Sequence, residues 1–142
     1  MERREFFKSC SFACLSGVAL SHFLTQCTHS KYLTAKIIDS EIFIEKKEFL
    51  SNKQKIRSII IENELLNFPI ALLKIQENEY RAIYLTCSHQ GAELQIFDDK
   101  LICPAHGAEF TNEGKVVSGP TDQPLRIFSV KTLNDQIIIS LK

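Results

Sequence analysis

Beyond residue 36 the apolar positions come in short blocks separated by polar pairs, and most blocks are too short for helices. Ile37-Ile38 and Ile42-Phe43-Ile44 flank the polar Asp39-Ser40-Glu41, the pattern of a hairpin. Ile56 to Ile61 and Pro69 to Ile75 are rich in β-branched or apolar residues, and Tyr80 to Thr86 alternates until it meets Cys87. Pro69 cannot donate to a ladder and suits a strand start. Glu93 to Phe97 and Lys100 to Ile102 can pair across Asp98-Asp99. Gly114 marks the next turn, before Lys115 to Val117, and Leu125 to Leu133 pairs with Gln136 to Leu141 across Asn134-Asp135. Short strands with turn signals at near-regular spacing predict an all-β, antiparallel sandwich or barrel. The hairpins between about residues 82 and 125 are expected to form a small lobe inserted into a larger β base.

Two stretches break the pattern. Residues 45–55, with Lys46, Lys47, Lys53 and Lys55, read as a solvated loop. Residues 1–27 do not read as part of the domain: an apolar run from Phe12 to Leu24 is interrupted by Ser16, Gly17, Ser21 and His22. It falls short of the roughly 20 apolar residues of a membrane span. The expected organisation is a leader over 1–27, a linker over 28–35 and one domain over 36–142.

Composition changes this picture little. With 142 residues, 44% of them apolar, the chain can bury a modest single core. Its formal net charge of zero offers no electrostatic case for a nucleic-acid partner.

The chemistry is concentrated in two phrases, Cys87-Ser88-His89-Gln90-Gly91 and Cys103-Pro104-Ala105-His106-Gly107. After residue 30 the sequence has two cysteines and two histidines, and all four lie here as C-x-H, thirteen intervening residues, then C-x-x-H. Thiolates combined with imidazoles select zinc or an iron–sulfur centre, and ligand type alone does not separate the two. On extended backbone, positions i and i+2 face the same way about 6.6 Å apart. Cys87 and His89 can therefore reach two different metal atoms, with Cys103 and His106 approaching from the other side, an arrangement that suits a binuclear centre. The competing readings are a single structural zinc, for which C-x₂₋₄-C pairs are usual, and four ordinary buried side chains.

These residues resemble the Rieske [2Fe–2S] family. Its C-x-H-x-G box is matched by Cys87, His89 and Gly91, and its C-P-x-H-G box by Cys103, Pro104, His106 and Gly107. Gly119-Pro120-Thr121-Asp122-Gln123-Pro124-Leu125 resembles its proline loop. The resemblance implies one cluster per chain, with Cys87 and Cys103 on one iron and His89 and His106 on the outer iron. High-potential members carry an extra cysteine in each box, joined as a disulfide; here those positions are Ala92 and Ala105. The serine and tyrosine hydroxyls that bond the cluster sulfurs of those members are replaced by Ala108 and Phe110. Losing donors to the sulfurs disfavours the electron-rich reduced state, so the expected potential lies low in the Rieske range of about −150 to +300 mV.

Ahead of the domain, Arg3-Arg4-Glu5-Phe6-Phe7-Lys8 followed by the apolar run resembles a twin-arginine export leader. Leu24-Thr25-Gln26-Cys27 resembles a lipoprotein box, in which Cys27 would carry acyl chains and tether the protein; a leader kept uncleaved, as in respiratory Rieske subunits, is the alternative tether. With Cys10, Cys14 and Cys27 in the leader, only Cys87 and Cys103 remain, and no disulfide pair is left over.

The function expected from all this is one-electron transfer, by an exported carrier in the periplasm or the small electron-transfer subunit of an oxidoreductase, rather than by a complete enzyme. The alternatives are the quinol-oxidising Rieske subunit of a cytochrome bc-type complex and a non-redox module that is structural or holds zinc. The expected partner is a redox protein. Residues 87–124 carry six acids against two lysines, an excess of four negatives, which suggests a partner with a basic docking face.

Overall fold

The computed structural model describes residues 30–50 and 56–142. Their twelve strands are β1 (Ser30–Thr34), β2 (Ile37–Ile38), β3 (Glu41–Glu45), β4 (Ser58–Glu62), β5 (Ile70–Gln76), β6 (Glu79–Tyr84), β7 (Gln95–Phe97), β8 (Lys100–Ile102), β9 (Glu109–Thr111), β10 (Val116–Ser118), β11 (Ile127–Leu133) and β12 (Gln136–Ser140). Eight form the base in the order β1-β4-β5-β6-β11-β12-β3-β2, and four form the lobe in the order β10-β9-β8-β7. The lobe is inserted between β6 and β11, which are neighbours in the base sheet through Ile83–Ile127 and Ala82–Phe128. Both ends of the insertion are thus anchored at one place.

The turns follow from residue type. Asp39, Ser40, Asn78, Asp98 and Asn134 all have positive φ. Each lies between two adjacent antiparallel strands, where short polar side chains tolerate the left-handed conformation that tight hairpins demand.

Side-chain alternation separates one-sided strands from a two-sided wall. On β3 and β12 only alternate residues are buried, among them Ile42, Ile44, Ile137 and Ile139. In β4 and β5 successive residues are buried without alternation. The two faces serve different cores. Ile59, Ile61, Ile70, Leu72 and Ala82 pack into the base with Ile42, Ile44 and Ile137. Ile60, Ala71, Leu73 and Ile83 pack toward the lobe with Leu94, Leu101, Phe110, Cys87 and Cys103. The run Ile59-Ile60-Ile61 is uniformly apolar because it serves both faces at once.

Two expectations need correction. The linker placed over 28–35 is, from Ser30 to Thr34, the edge strand β1, registered on β4 from Ser30–Ser58 to Thr34–Glu62. That edge pair is parallel, in a sheet whose other pairs are antiparallel as expected; Ala35 reaches the base core and draws the strand in. Lys46–Phe49 forms a 3₁₀ turn rather than a solvated loop, because Phe49 is buried and packs against Tyr80 with the rings tilted and their centroids 5.2 Å apart. The remainder of that loop, 51–55, and the leader with Cys27 lie outside the described residues. No helix among the described residues is long and apolar enough to cross a membrane.

Candidate metal centre

Two backbone clasps build the site. In the first, the Gly91 N–H donates to the Cys87 carbonyl at 2.9 Å and the Cys87 N–H to the Ala92 carbonyl at 2.8 Å. In the second, the Gly107 N–H donates to the Cys103 carbonyl at 3.0 Å and the Cys103 N–H to the Ala108 carbonyl at 2.8 Å. Gly91 and Gly107 both have φ +71°, which a side chain would strain. Each clasp thus runs from cysteine to a left-handed glycine four residues on. The histidines occupy different steps of it, His89 two residues after its cysteine and His106 three.

Cys87 and Cys103 are buried side by side in the lobe core and are free thiols. Burial pushes the Cys87 thiol above the usual cysteine range, partly opposed by the backbone N–H groups of His89 and Gln90 and reinforced by the neighbouring Cys103. Burial acts on Cys103 in the same sense, but N–H donation from His106 and Ala105, together with the Cys87 thiol, brings it below that range. Main-chain donors therefore converge on both sulfurs. The His89 and His106 rings stand edge to face with centroids 5.1 Å apart. His106 is exposed, whereas Nδ1 of His89 is buried with no hydrogen-bond partner. A buried ring nitrogen without a partner is costly unless it serves as a ligand. The donor set of two buried thiols, two facing imidazoles and an orphaned ring nitrogen fits a two-thiolate, two-imidazole centre.

No three His, Cys, Asp or Glu side chains among the described residues are grouped so as to hold one ion. A binuclear centre taking two protein ligands per metal requires no such triplet.

The loop after β10 closes over the first clasp. The Ser88 hydroxyl donates to the Gln123 carbonyl at 2.6 Å and lies 3.3 Å from Thr121 Oγ1, which accepts the Gln123 N–H at 3.1 Å. Ser88 escaped the reading of the sequence; its one signal was a hydroxyl residue placed between two ligand-type side chains. Arg57 and Arg81 were also missed, because they reach the lobe across space from the base. Arg57 faces Asp98 at 3.9 Å and Asp99 at 3.4 Å, and Arg81 faces Glu113 at 3.6 Å. Lys100 pairs with Glu109 at 2.8 Å and Lys115 with Glu113 at 2.7 Å. Ala108 and Phe110, both fully buried, line the lobe core beside the cysteines.

Comparison with known proteins agrees with this architecture. Residues 41–129 match the family model of the Rieske [2Fe–2S] domain. The cytochrome b6-f complex iron-sulfur subunit of Chlorobaculum tepidum is 36% identical over 62 residues, which span 42% of this chain and 34% of that protein. The subunit of the same description from Desmonostoc sp. is 26% identical over 154 aligned positions, covering 99% of this chain and 84% of that protein. Among solved structures, the plasma membrane Rieske protein PetC3 from Synechocystis PCC 6803 superposes with a TM-score of 0.52 at 24% identity, covering 59% of this chain and 86% of that one. The quaternary ammonium Rieske monooxygenase CntA gives 0.56 at 17% identity, with 72% of this chain matching 32% of that one. The matched domain, the inserted lobe and the fitting donor set lead to one conclusion: the chain belongs to the Rieske [2Fe–2S] family and works in electron transfer through one such cluster.

Proposed function

We propose that Cys87 and Cys103 hold the inner iron and that His89, through Nδ1, and His106 hold the outer iron. The observation that carries this reading is the buried, unpartnered Nδ1 of His89 beside two buried thiols. When bound, the cluster supplies a one-electron couple. The protein's part is to orient the ligands through the two clasps, donate main-chain N–H groups to the cysteine sulfurs, and expel water with the apolar lobe core. His106, on the exposed side, is the point at which electrons enter and leave.

The working role is an exported one-electron carrier, or the small electron-transfer subunit of an oxidoreductase, delivered to the periplasm by the leader at 1–27. Arg3-Arg4 and the apolar run after it support the export route, and Cys27 in its Leu-Thr-Gln-Cys setting supports a lipid tether. A second reading, a quinol-oxidising subunit of a cytochrome bc-type complex, is favoured by the relatives from cytochrome b6-f complexes. Against it stand Ala92, Ala105, Ala108 and Phe110, at the positions associated with high potential.

Electron paramagnetic resonance of the dithionite-reduced protein, with a redox titration, tests both. The expected result is a Rieske-type spectrum with low average g and a midpoint in the lower part of the range of about −150 to +300 mV. A Rieske spectrum with a midpoint well above zero would favour the quinol-oxidising role. Stoichiometric zinc without iron in protein made under iron-replete, anaerobic conditions would overturn the ligand assignment's redox meaning.

A further inference from the structure

The lobe covers only part of the outer side of the base sheet. Over β4, β5 and β6 that side is buried, with Ile60, Ala71, Leu73 and Ile83 packed toward the lobe. Ile127 is registered on Ile83 and shares its side, which continues across β11, β12, β3 and β2. There the side is bare. Of the nine large apolar side chains exposed among the described residues, Ile38, Phe43, Ile127 and Leu133 lie on this one area, at 38–60% exposure. Ile138, opposite Phe43, is half-buried among them.

The charges of this face are ordered. Strand register puts Phe43, Ile138 and Lys131 in one row across β3, β12 and β11. Glu41 and Glu45 flank Phe43 along β3, each about 6.6 Å away. Neither Lys131 nor Glu41 has an ion-pair partner among the described residues, and Glu45 meets only the exposed Lys47, a surface pair that competes little. The face is thus acidic on β3, apolar on β12 and basic on β11.

We propose that a second copy of the chain docks on this face, about a two-fold axis running along β12. Such an axis lays β11 of one copy over β3 of the other. Lys131 of each copy then falls above the partner's Phe43, between the partner's Glu41 and the partner's Glu45. Ile138 meets the partner's Ile138 on the axis. The contact is isologous, so both sets of ion pairs form together, and each lysine gains the face of an aromatic ring. An axis across the strands would instead set β3 on β3 and crowd four carboxylates together, which like-charge repulsion disfavours. None of β2, β3, β11 and β12 carries a clasp, so pairing leaves both clasps as they are.

The test is sedimentation velocity of the holoprotein from micromolar to millimolar concentration, with paramagnetic resonance checking that each variant holds its cluster. The parent is expected to double in mass as concentration rises. Lys131→Glu alone and Glu41→Lys/Glu45→Lys alone should each raise the dissociation constant at least about tenfold, since each sets like charges against one another. Mixed in equal amounts, the two variants should pair within about threefold of the parent, because each then presents the charges that the other lacks. A parent that stays monomeric throughout, a dimer indifferent to Lys131→Glu, or variants that fail to pair when mixed would overturn the proposal. Should the double variant not hold its cluster, the triple variant Lys131→Glu/Glu41→Lys/Glu45→Lys takes the place of the mixture. It is expected to self-associate like the parent, and a monomeric triple variant would overturn the proposal equally.

Discussion

A β-carbon on Gly119 would lie 2.6 Å from the α-carbon of Ala108 and 3.1 Å from its β-carbon. Gly119 also has φ +115°, so a substitution there meets strain as well as collision with backbone that cannot yield like a flexible side chain. The loop that follows can lie over the site because this residue has no side chain. Gly119→Ala is expected to cost about 2 kcal/mol or more, read as a lower temperature of cluster loss in a visible-absorbance melt. Gly107→Ala, which meets nothing within 4 Å, should cost less and through φ alone.

Ala108 and Phe110 bring no hydroxyl to the lobe core although both are fully buried in it. Phe110→Tyr or Ala108→Ser should raise the midpoint potential, since a donor to the cluster sulfurs favours the reduced form. A differential bond of about 1 kcal/mol corresponds to about 40 mV for one electron. Protein-film voltammetry of the three proteins side by side would measure it; an unchanged or lowered midpoint in both variants would count against the argument.

Ser88 is the side-chain link between the first clasp and the loop over it. Removing its hydroxyl leaves the Gln123 carbonyl short of a donor, a loss of about 1 kcal/mol. Ser88→Ala should therefore lose iron to a chelator about fivefold faster, with raised hydrogen exchange confined to residues near 118–125. Ser88→Thr, which keeps the hydroxyl, should behave like the parent.

Much of this was legible in the sequence, for identifiable reasons. The hairpin turns announced themselves because Asp39-Ser40, Asp98-Asp99 and Asn134-Asp135 are local chemistry between apolar blocks. The four residues proposed as ligands drew notice because thiols and imidazoles are rare in this chain after residue 30. What escaped depends on distant neighbours. β1 is polar enough to pass for a linker and becomes a strand through the parallel edge offered by β4. The charge balance of the lobe could not be read along the chain because Arg57 and Arg81 pair with its acids from the base, remote in sequence. Phe49 sits in a lysine-rich stretch, and only the fold supplies Tyr80 for it to cover.

The split of β4 into two faces can be checked directly. Ile59→Ala opens a void in the base core and Ile60→Ala one in the lobe core, each at about 2–5 kcal/mol. Ile60→Ala should release the cluster at a temperature well below the loss of far-ultraviolet β signal. Ile59→Ala should lower both together. Identical behaviour of the two variants would mean that the wall does not separate the cores.

Glu113 supplies a pH dependence. Its carboxylate is held below the usual range first by the hydrogen bond and charge of Lys115, then by Arg81. A folded pKa below the unfolded one contributes stability above the unfolded value, and the contribution is lost as pH falls through the folded value. Glu113→Gln should therefore melt slightly earlier than the parent at neutral pH, with the difference closing in acid. The effect is small because the pair is exposed to solvent and screened.

The two clasps repeat one main-chain design while placing the imidazole at different steps, the second residue after the cysteine in one and the third in the other. The main-chain bonds that close each clasp involve the cysteine, the glycine and the residue after it. Closure of the turn therefore does not depend on which intervening step carries the imidazole. One turn design serves two ligand spacings, and shifting the imidazole by one step needs no change in the bonds that close the turn.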